Sequence, residues 1–277
     1  MKSQGRYAQT FFELAKKQKG AFIPFVVLGD PTFEDSKKVL RVLARNADCL
    51  ELGFPFSDPI ADGKRIASAD QRSLKSGMST EKCFELISQL RSENSKIPIG
   101  LLLYYNLVYT NGAEKFLKRA KECGVDGILI ADMPLEESGE IKKLCKKIGL
   151  DLIFIISPLT GVARMKKILK CAGGFVYIVG VLGVTGERKS IEDGTIDLLQ
   201  QVKKNTSLPC CIGFGISEPS HVEKIIKSGS DGAIVGSAIE AIIEKNIGNE
   251  SQMLLELENF AKEMNGAGYR GAQNRKN

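Results

Sequence analysis

Leu50-Glu51-Leu52-Gly53-Phe54-Pro55-Phe56-Ser57-Asp58-Pro59-Ile60-Ala61-Asp62-Gly63 is the stretch on which the fold and the chemistry of this chain turn. Glu51 lies near the end of an apolar run, 47–52, whose length suits a buried strand. A carboxylate there meets a low dielectric, which raises its pKa and lets it carry a proton near neutral pH. Two prolines, two aspartates and a glycine follow, with Phe54 and Phe56 between them. Proline fixes φ and aspartate caps turns, so the segment reads as an ordered loop that brings Asp62 back over Glu51. The alternative is a salt-bridged strand end followed by an ordinary surface loop.

Outward from this stretch, apolar runs alternate with helical patterns along the whole chain. The runs cover 21–28, 47–52, 97–104, 127–131, 152–156, 175–181, 208–212 and 232–235. They are continuous rather than alternating, as parallel strands covered on both faces require. Helical stripes lie between them, such as Ile141, Leu144, Cys145 and Ile148, and Thr32 with Asp35 begins another ahead of Val39, Leu40 and Leu43. Eight strands with eight crossovers in roughly 250 residues predict an α/β fold of the (β/α)8 TIM-barrel type. It carries an extra N-terminal helix and extra helices after strands 2 (66–74) and 8 (253–264). A doubly wound open sheet would want a glycine-rich dinucleotide turn after the first strand, and Gly29-Asp30-Pro31 is not one. One barrel domain is expected over 1–265, with a disordered polar tail over 266–277.

Composition narrows the function. The chain has 277 residues, 43% hydrophobic and 26% charged, enough for a core without disulfide or metal staples. No apolar run approaches the about 18 residues of a membrane helix. Tyr7, Phe11, Leu14 and Ala15 recur at helical spacing, so the basic N-terminus reads as an amphipathic helix and not a signal peptide. Seven scattered cysteines, without a C-x-x-C, act as small hydrophobes and imply a reduced, cytoplasmic setting. The net charge of +6 comes from lysines dispersed beside glutamates. That pattern carries no nucleic-acid signature and suits a phosphorylated metabolite. His221 is the only histidine and reads as a surface residue, which excludes histidine triads and histidine metal sites. Oxygen ligands for a metal exist at Glu51, Asp58 and Asp62, but the spacing demands none.

In a barrel the active face lies at the C-terminal ends of the strands. Three glycine turns fall there: Gly183-Val184-Thr185-Gly186, Gly213-Phe214-Gly215-Ile216, and Gly236-Ser237, which opens a helix. Glycines admit a ligand close to the backbone, and amides at a helix start favour an anion, so these turns read as a phosphate cradle. Asn106 and Asp132, at the ends of strands 3 and 4, are either strand-end caps or partners that hold Glu51.

Taken together, FVVLGDP (25–31), LELGFPFSDPIADG (50–63), YYNLV (104–108), ADMPLEES (131–138), GVTG (183–186), GFGI (213–216) and GAIVGSAI (232–239) closely resemble the tryptophan synthase alpha-subunit family. The resemblance implies a lyase that cleaves indole-3-glycerol phosphate to indole and glyceraldehyde 3-phosphate by a retro-aldol step. It implies Glu51 as general acid and base, and Asp62 as the carboxylate that accepts the indole N1–H. It implies phosphate binding by Gly186, Gly215, Gly236 and Ser237, and an indole side lined by Phe25, Leu102, Tyr104 and Phe214. Tyr177 would stand beside the acid, and Thr185 would close onto Asp62. No metal or cofactor is implied in this chain. The partner would be the pyridoxal-phosphate beta subunit in an alpha2beta2 heterotetramer.

The chain departs from that family around the loops. Lys64-Arg65-Ile66-Ala67 stands where the family usually has Pro-Thr-Ile-Gln. Gly180 and Val181 replace a Ser-Arg pair, and Val27 replaces a threonine. Alternatives are a catalytically weakened activator of a beta subunit, a stand-alone indole-releasing lyase, or another phosphate-binding barrel enzyme.

Overall fold

Short runs that are apolar on both faces have few stable partners besides each other. Here they form eight parallel strands, β1 (Ala21–Val27), β2 (Leu50–Gly53), β3 (Ile99–Leu103), β4 (Gly127–Ile130), β5 (Asp151–Ile156), β6 (Val176–Val179), β7 (Cys210–Gly213) and β8 (Gly232–Val235). They close into one barrel in sequence order, β1 pairing with both β2 and β8. The structure is a computed structural model that describes residues 5–180, 189–213 and 215–275. Among them no helix is long and apolar enough to cross a membrane.

Each strand sends alternate side chains to two different cores. From β1, Ile23, Phe25 and Val27 point into the barrel, whereas Phe22 and Val26 pack outward against the helices. The helices are α1 (Arg6–Lys16), α2 (Phe33–Asn46), α3 (Lys64–Lys75), α4 (Thr80–Glu93), α5 (Tyr105–Thr110), α6 (Ala113–Glu122), α7 (Gly139–Ile148), α8 (Val162–Leu169), α9 (Lys189–Lys203), α10 (Pro219–Lys227), α11 (Ser237–Lys245) and α12 (Glu250–Gln273). Thr32 caps α2 by accepting the Asp35 amide at 3.2 Å, as the sequence pattern requires.

The amphipathic α1 closes the N-terminal end of the barrel. Tyr7 is 1% exposed and meets Phe175 edge-on at 5.5 Å. Room for its ring comes from Gly100 and Gly127, where a Cβ would lie 2.5 Å and 2.9 Å from Tyr7 atoms.

The same end carries a repeated ionic device. Asp48, Asp126 and Asp231 each precede an even strand and accept the first amide region of the strand before it. The partners are Phe22 N at 2.9 Å, Ile99 N at 3.0 Å and Cys210 N at 2.8 Å. A cation faces each carboxylate: Lys19 for Asp48, Arg91 and Arg6 for Asp126, and Lys203 for Asp231.

One sequence expectation changes. The residues from Gly266 were expected to form a disordered polar tail, but α12 continues to Gln273. The glycines that suggested disorder make a close-packing face: a Cβ on Gly268 would collide with the Gly20 carbonyl, and one on Gly271 would meet the Glu223 backbone at 2.7 Å. The Gly20 amide donates to the Gly268 carbonyl at 3.1 Å, and Arg275 donates to the Ile226 carbonyl at 2.8 Å. Tyr105 begins a six-residue helix, α5, that no hydrophobic period announced.

Replacing Asp126 by alanine strands two guanidinium groups and a strand amide. Urea unfolding is expected to show a loss of about 3 kcal/mol. Glu93→Ala, which removes an exposed partner of Arg41, is expected to cost under ~1 kcal/mol.

Candidate functional site

Glu51 sits in register between Phe25 of β1 and Gly100 of β3, and is 3% exposed. Its Oε2 is buried with no hydrogen-bond partner. Burial, and secondarily the negative charge of Asp62, push its pKa up to about 8. A carboxyl in that condition holds its proton at neutral pH, and its Oε2 has no protein bond to give up among the described residues.

Asp62 closes the loop that follows β2. The loop is pinned at two levels. Phe54 turns outward into the helix layer, 5.2 Å from Phe84 and 5.7 Å from Phe116. Phe56 stacks on Tyr104 at 4.9 Å with the rings 19° apart. The Tyr104 hydroxyl donates to Asp62 Oδ2 at 2.7 Å and accepts the Ala61 amide at 2.9 Å. Burial raises the Asp62 pKa, and the Tyr104 hydrogen bond works against that rise. The loop thus folds back as the sequence expectation had it, with Tyr104 as its clasp.

Tyr177, on β6, lies across the barrel mouth. Its phenol occupies the space where Gly213 lacks a Cβ. Burial drives its pKa well up, and Glu51 and Asp62 add to the shift, so its hydroxyl stays protonated beside both carboxyls. Phe25 spans the mouth in the other direction, since a Cβ on Gly53 would lie 2.7 Å from its Cζ and one on Gly236 3.0 Å from its Cδ1. Leu102 packs, half-buried, against the cluster that contains Phe25.

Beyond Phe25 is the open start of α11. The amides of Ile239 and Glu240 turn back to the Gly236 carbonyl at 2.8 Å and 3.1 Å. Those of Ser237 and Ala238 precede these bonds at the positive end of the helix dipole, where an anion is favoured. Gly215, after β7, has φ +74°. The structure therefore gathers Glu51, Asp62, Tyr104, Tyr177, Phe25, Leu102, Gly236 and Ser237 at the C-terminal mouth. Thr185, Gly186 and Phe214 lie outside the described residues.

Other expectations resolve simply. Asp132 accepts the Tyr105 amide at 2.7 Å, so it caps α5, and Asn106 is exposed on that helix. Lys64 and Arg65 open α3 on the solvent side. His221 accepts the Ser217 amide at 3.3 Å through Nδ1. Among the described residues no group of three or more His, Cys, Asp or Glu side chains is placed to hold a metal ion. A groove of 1480 Å³ lies at the opposite end of the barrel beside α1 and contains none of the site residues.

Two carboxyls at this end escaped the sequence reading. Asp70 of α3 is 3% exposed, accepts the Phe56 amide at 3.3 Å through Oδ1, and leaves Oδ2 without a partner. Glu240 of α11 is fully buried and accepts the Val27 amide at 2.8 Å. Burial and nearby Asp30 push the Glu240 pKa well up. The available signal was spacing: Ile66, Ala69, Asp70 and Ser73 occupy one buried face of α3, with an acid among them.

Comparison with known proteins points to a family. Residues 11–268 match the family model described as tryptophan synthase alpha chain. The tryptophan synthase alpha chain of Methanothermobacter thermautotrophicus is 48% identical over 269 residues, covering 96% of this chain and 99% of that protein. A solved chain from work on the mutual activation of the tryptophan synthase a2b2 complex of Pyrococcus furiosus superposes with TM-score 0.82 at 35% identity, covering 90% of this chain and 98% of that one. The tryptophan synthase alpha chain of Legionella pneumophila gives TM-score 0.87 at 29% identity, covering 96% and 97%.

A carboxyl whose pKa is raised on folding takes stability away as pH climbs from its unfolded value toward its folded one. For Glu51 that window runs from about 4.5 to about 8. Glu51→Gln is neutral throughout, so its stability relative to the parent chain is expected to grow between pH 5 and pH 9 in paired urea titrations. A difference that stays flat with pH would mean that Glu51 is ionised in the folded protein at neutral pH.

Proposed function

The chain belongs to the tryptophan synthase alpha-chain family, and we propose that it cleaves indole-3-glycerol phosphate with Glu51 and Asp62 as the working carboxyls. The observation that carries these roles is the pairing at one mouth of a buried, unpartnered Glu51 with an Asp62 held by Tyr104. The open start of α11 follows β8, on the far side of β1 and its Phe25 from Glu51.

In this reading the substrate phosphate rests on the amides of Ser237 and Ala238 and on the glycine turn at Gly215. The indole ring lies toward Leu102, Tyr104 and Phe25. Glu51 delivers its proton to indole C3, which leaves the ring cationic at N1. Asp62 accepts the N1–H and stabilises that charge. The hydroxyl on the adjoining glycerol carbon then returns a proton to Glu51. As it does so, the bond from that carbon to C3 breaks, its electrons restore the indole, and the carbon becomes the aldehyde of glyceraldehyde 3-phosphate. Glu51 ends the cycle protonated, so protons balance without an outside acid. Acid–base catalysis of this kind is worth about 10²–10⁴ in rate, and the placed Asp62 charge adds an electrostatic contribution. Thr185, Gly186 and Phe214 would complete the enclosure.

The partner in this proposal is a tryptophan synthase beta subunit in an alpha2beta2 assembly. The Pyrococcus furiosus relative, a chain from work on a tryptophan synthase a2b2 complex, supports it. Pyridoxal phosphate would belong to that subunit.

Purified chain given indole-3-glycerol phosphate is expected to release indole. Glu51→Gln should lose about 10²-fold or more, and Asp62→Asn a comparable amount. Turnover by Glu51→Gln equal to the parent would discard the acid–base assignment. Stimulation of a beta subunit without indole release above background would favour the activator alternative.

A further inference from the structure

We propose that Asp70 is a positioning residue for Asp62, acting through the amide of Phe56 and the stack of Phe56 on Tyr104. The proposal rests on the roles just assigned to Asp62. Asp70 stands on the helix that begins directly after the Asp62 loop, and its side chain reaches back under that loop to accept the Phe56 N–H at 3.3 Å. Phe56 is then held flat on Tyr104, whose hydroxyl donates to Asp62 at 2.7 Å. The chain of contacts is continuous: carboxyl, loop amide, ring on ring, phenol, carboxylate. Without the bond to Asp70, the half-buried Phe56 amide loses its protein partner, the ring loses its anchor, and Tyr104 loses the face that orients its hydroxyl.

The charge at Asp70 separates from its contact. The groups that face it are Asp62 in the loop, Asp30 in the turn after β1, and the Tyr104 phenol at the end of β3. Arg72, two positions along α3, is turned to Asp30 with bonds of 2.8 Å and 2.7 Å. Burial, followed by the charge of Asp62, pushes the Asp70 pKa up to about 7. Below that value Asp70 keeps its proton. Replacement by asparagine or alanine removes no charge there. Asparagine retains an oxygen for the Phe56 amide, and alanine does not.

The test is the acid limb of kcat/KM for indole release, where Asp62 must ionise to accept the indole N–H. The Tyr104 bond holds the Asp62 pKa down, so loosening it moves the limb to higher pH. Asp70→Ala is expected to raise the limb by roughly half a pH unit or more, about the worth of one hydrogen bond. Tyr104→Phe should shift it in the same direction, and the double variant no further than the larger single shift. Asp70→Asn should leave the limb in place. A uniform drop in kcat/KM for Asp70→Ala with an unmoved limb would overturn the proposal, as would a shift in Asp70→Asn equal to that in Asp70→Ala. Titration of the Asp62 carboxyl by 13C NMR, identified by its loss in Asp62→Asn, reads the same displacement in ligand-free protein. That measurement needs no turnover, so it decides the positioning role even if the parent chain releases no indole.

Discussion

A carboxyl group kept from water and given no cation is the constraint around which this barrel is arranged. Glu51 occupies that position on β2, with one oxygen unpartnered. A buried ionised carboxylate is costly, so the group answers by holding its proton. The site follows from that choice. Tyr177, itself kept protonated by burial, does not neutralise Glu51, and Asp62 makes its ionisation harder still. No cation enters the surroundings that set the acidity of Glu51, Asp62 or Asp70 among the described residues.

The contrast with the other end of the barrel is physical, not decorative. Asp48, Asp126 and Asp231 are also held in the protein, but each receives a strand amide and at least one lysine or arginine. Those carboxylates are met by donors and tie neighbouring strands together. At the C-terminal end Glu51, Asp70 and Glu240 each keep one buried oxygen without a partner, whereas Asp30 there is held by Arg72. The division matches the general rule that a barrel keeps its stability at one face and its chemistry at the other, and here it is visible carboxyl by carboxyl.

The strands were legible because a parallel barrel demands short, wholly apolar runs, and each run lies within a few residues of its strand. The Glu51 to Asp62 loop was legible because proline, aspartate and phenylalanine in that order leave few alternatives to an ordered turn. The end of α12 was not, because Gly266, Gly268 and Gly271 have low helix propensity, and only the contacts of Gly268 with Gly20 and of Gly271 with α10 show why those two are there. Propensity lost to packing. Asp70 and Glu240 were missed for a related reason. A single acid in an amphipathic helix looks like a solvated residue until the tertiary fold decides which face is buried.

Those two missed acids also explain how the halves of the site are kept at a fixed separation. Arg72, on the same helix as Asp70, grips Asp30 with two bonds and reaches Glu244 of α11 at 3.2 Å. Glu240, one turn before Glu244, binds the end of β1 through the Val27 amide. The helix that carries Asp70 beneath the Asp62 loop is thereby tied to α11, with β1 and its Phe25 between them. A protonated Glu240 serves this arrangement better than an ionised one. It can donate to Asp30 while Arg72 neutralises that carboxylate, and it places no net negative charge within the first turn of α11. The departure at Val27 leaves this joint intact, because the group that β1 contributes there is its backbone amide and not its side chain.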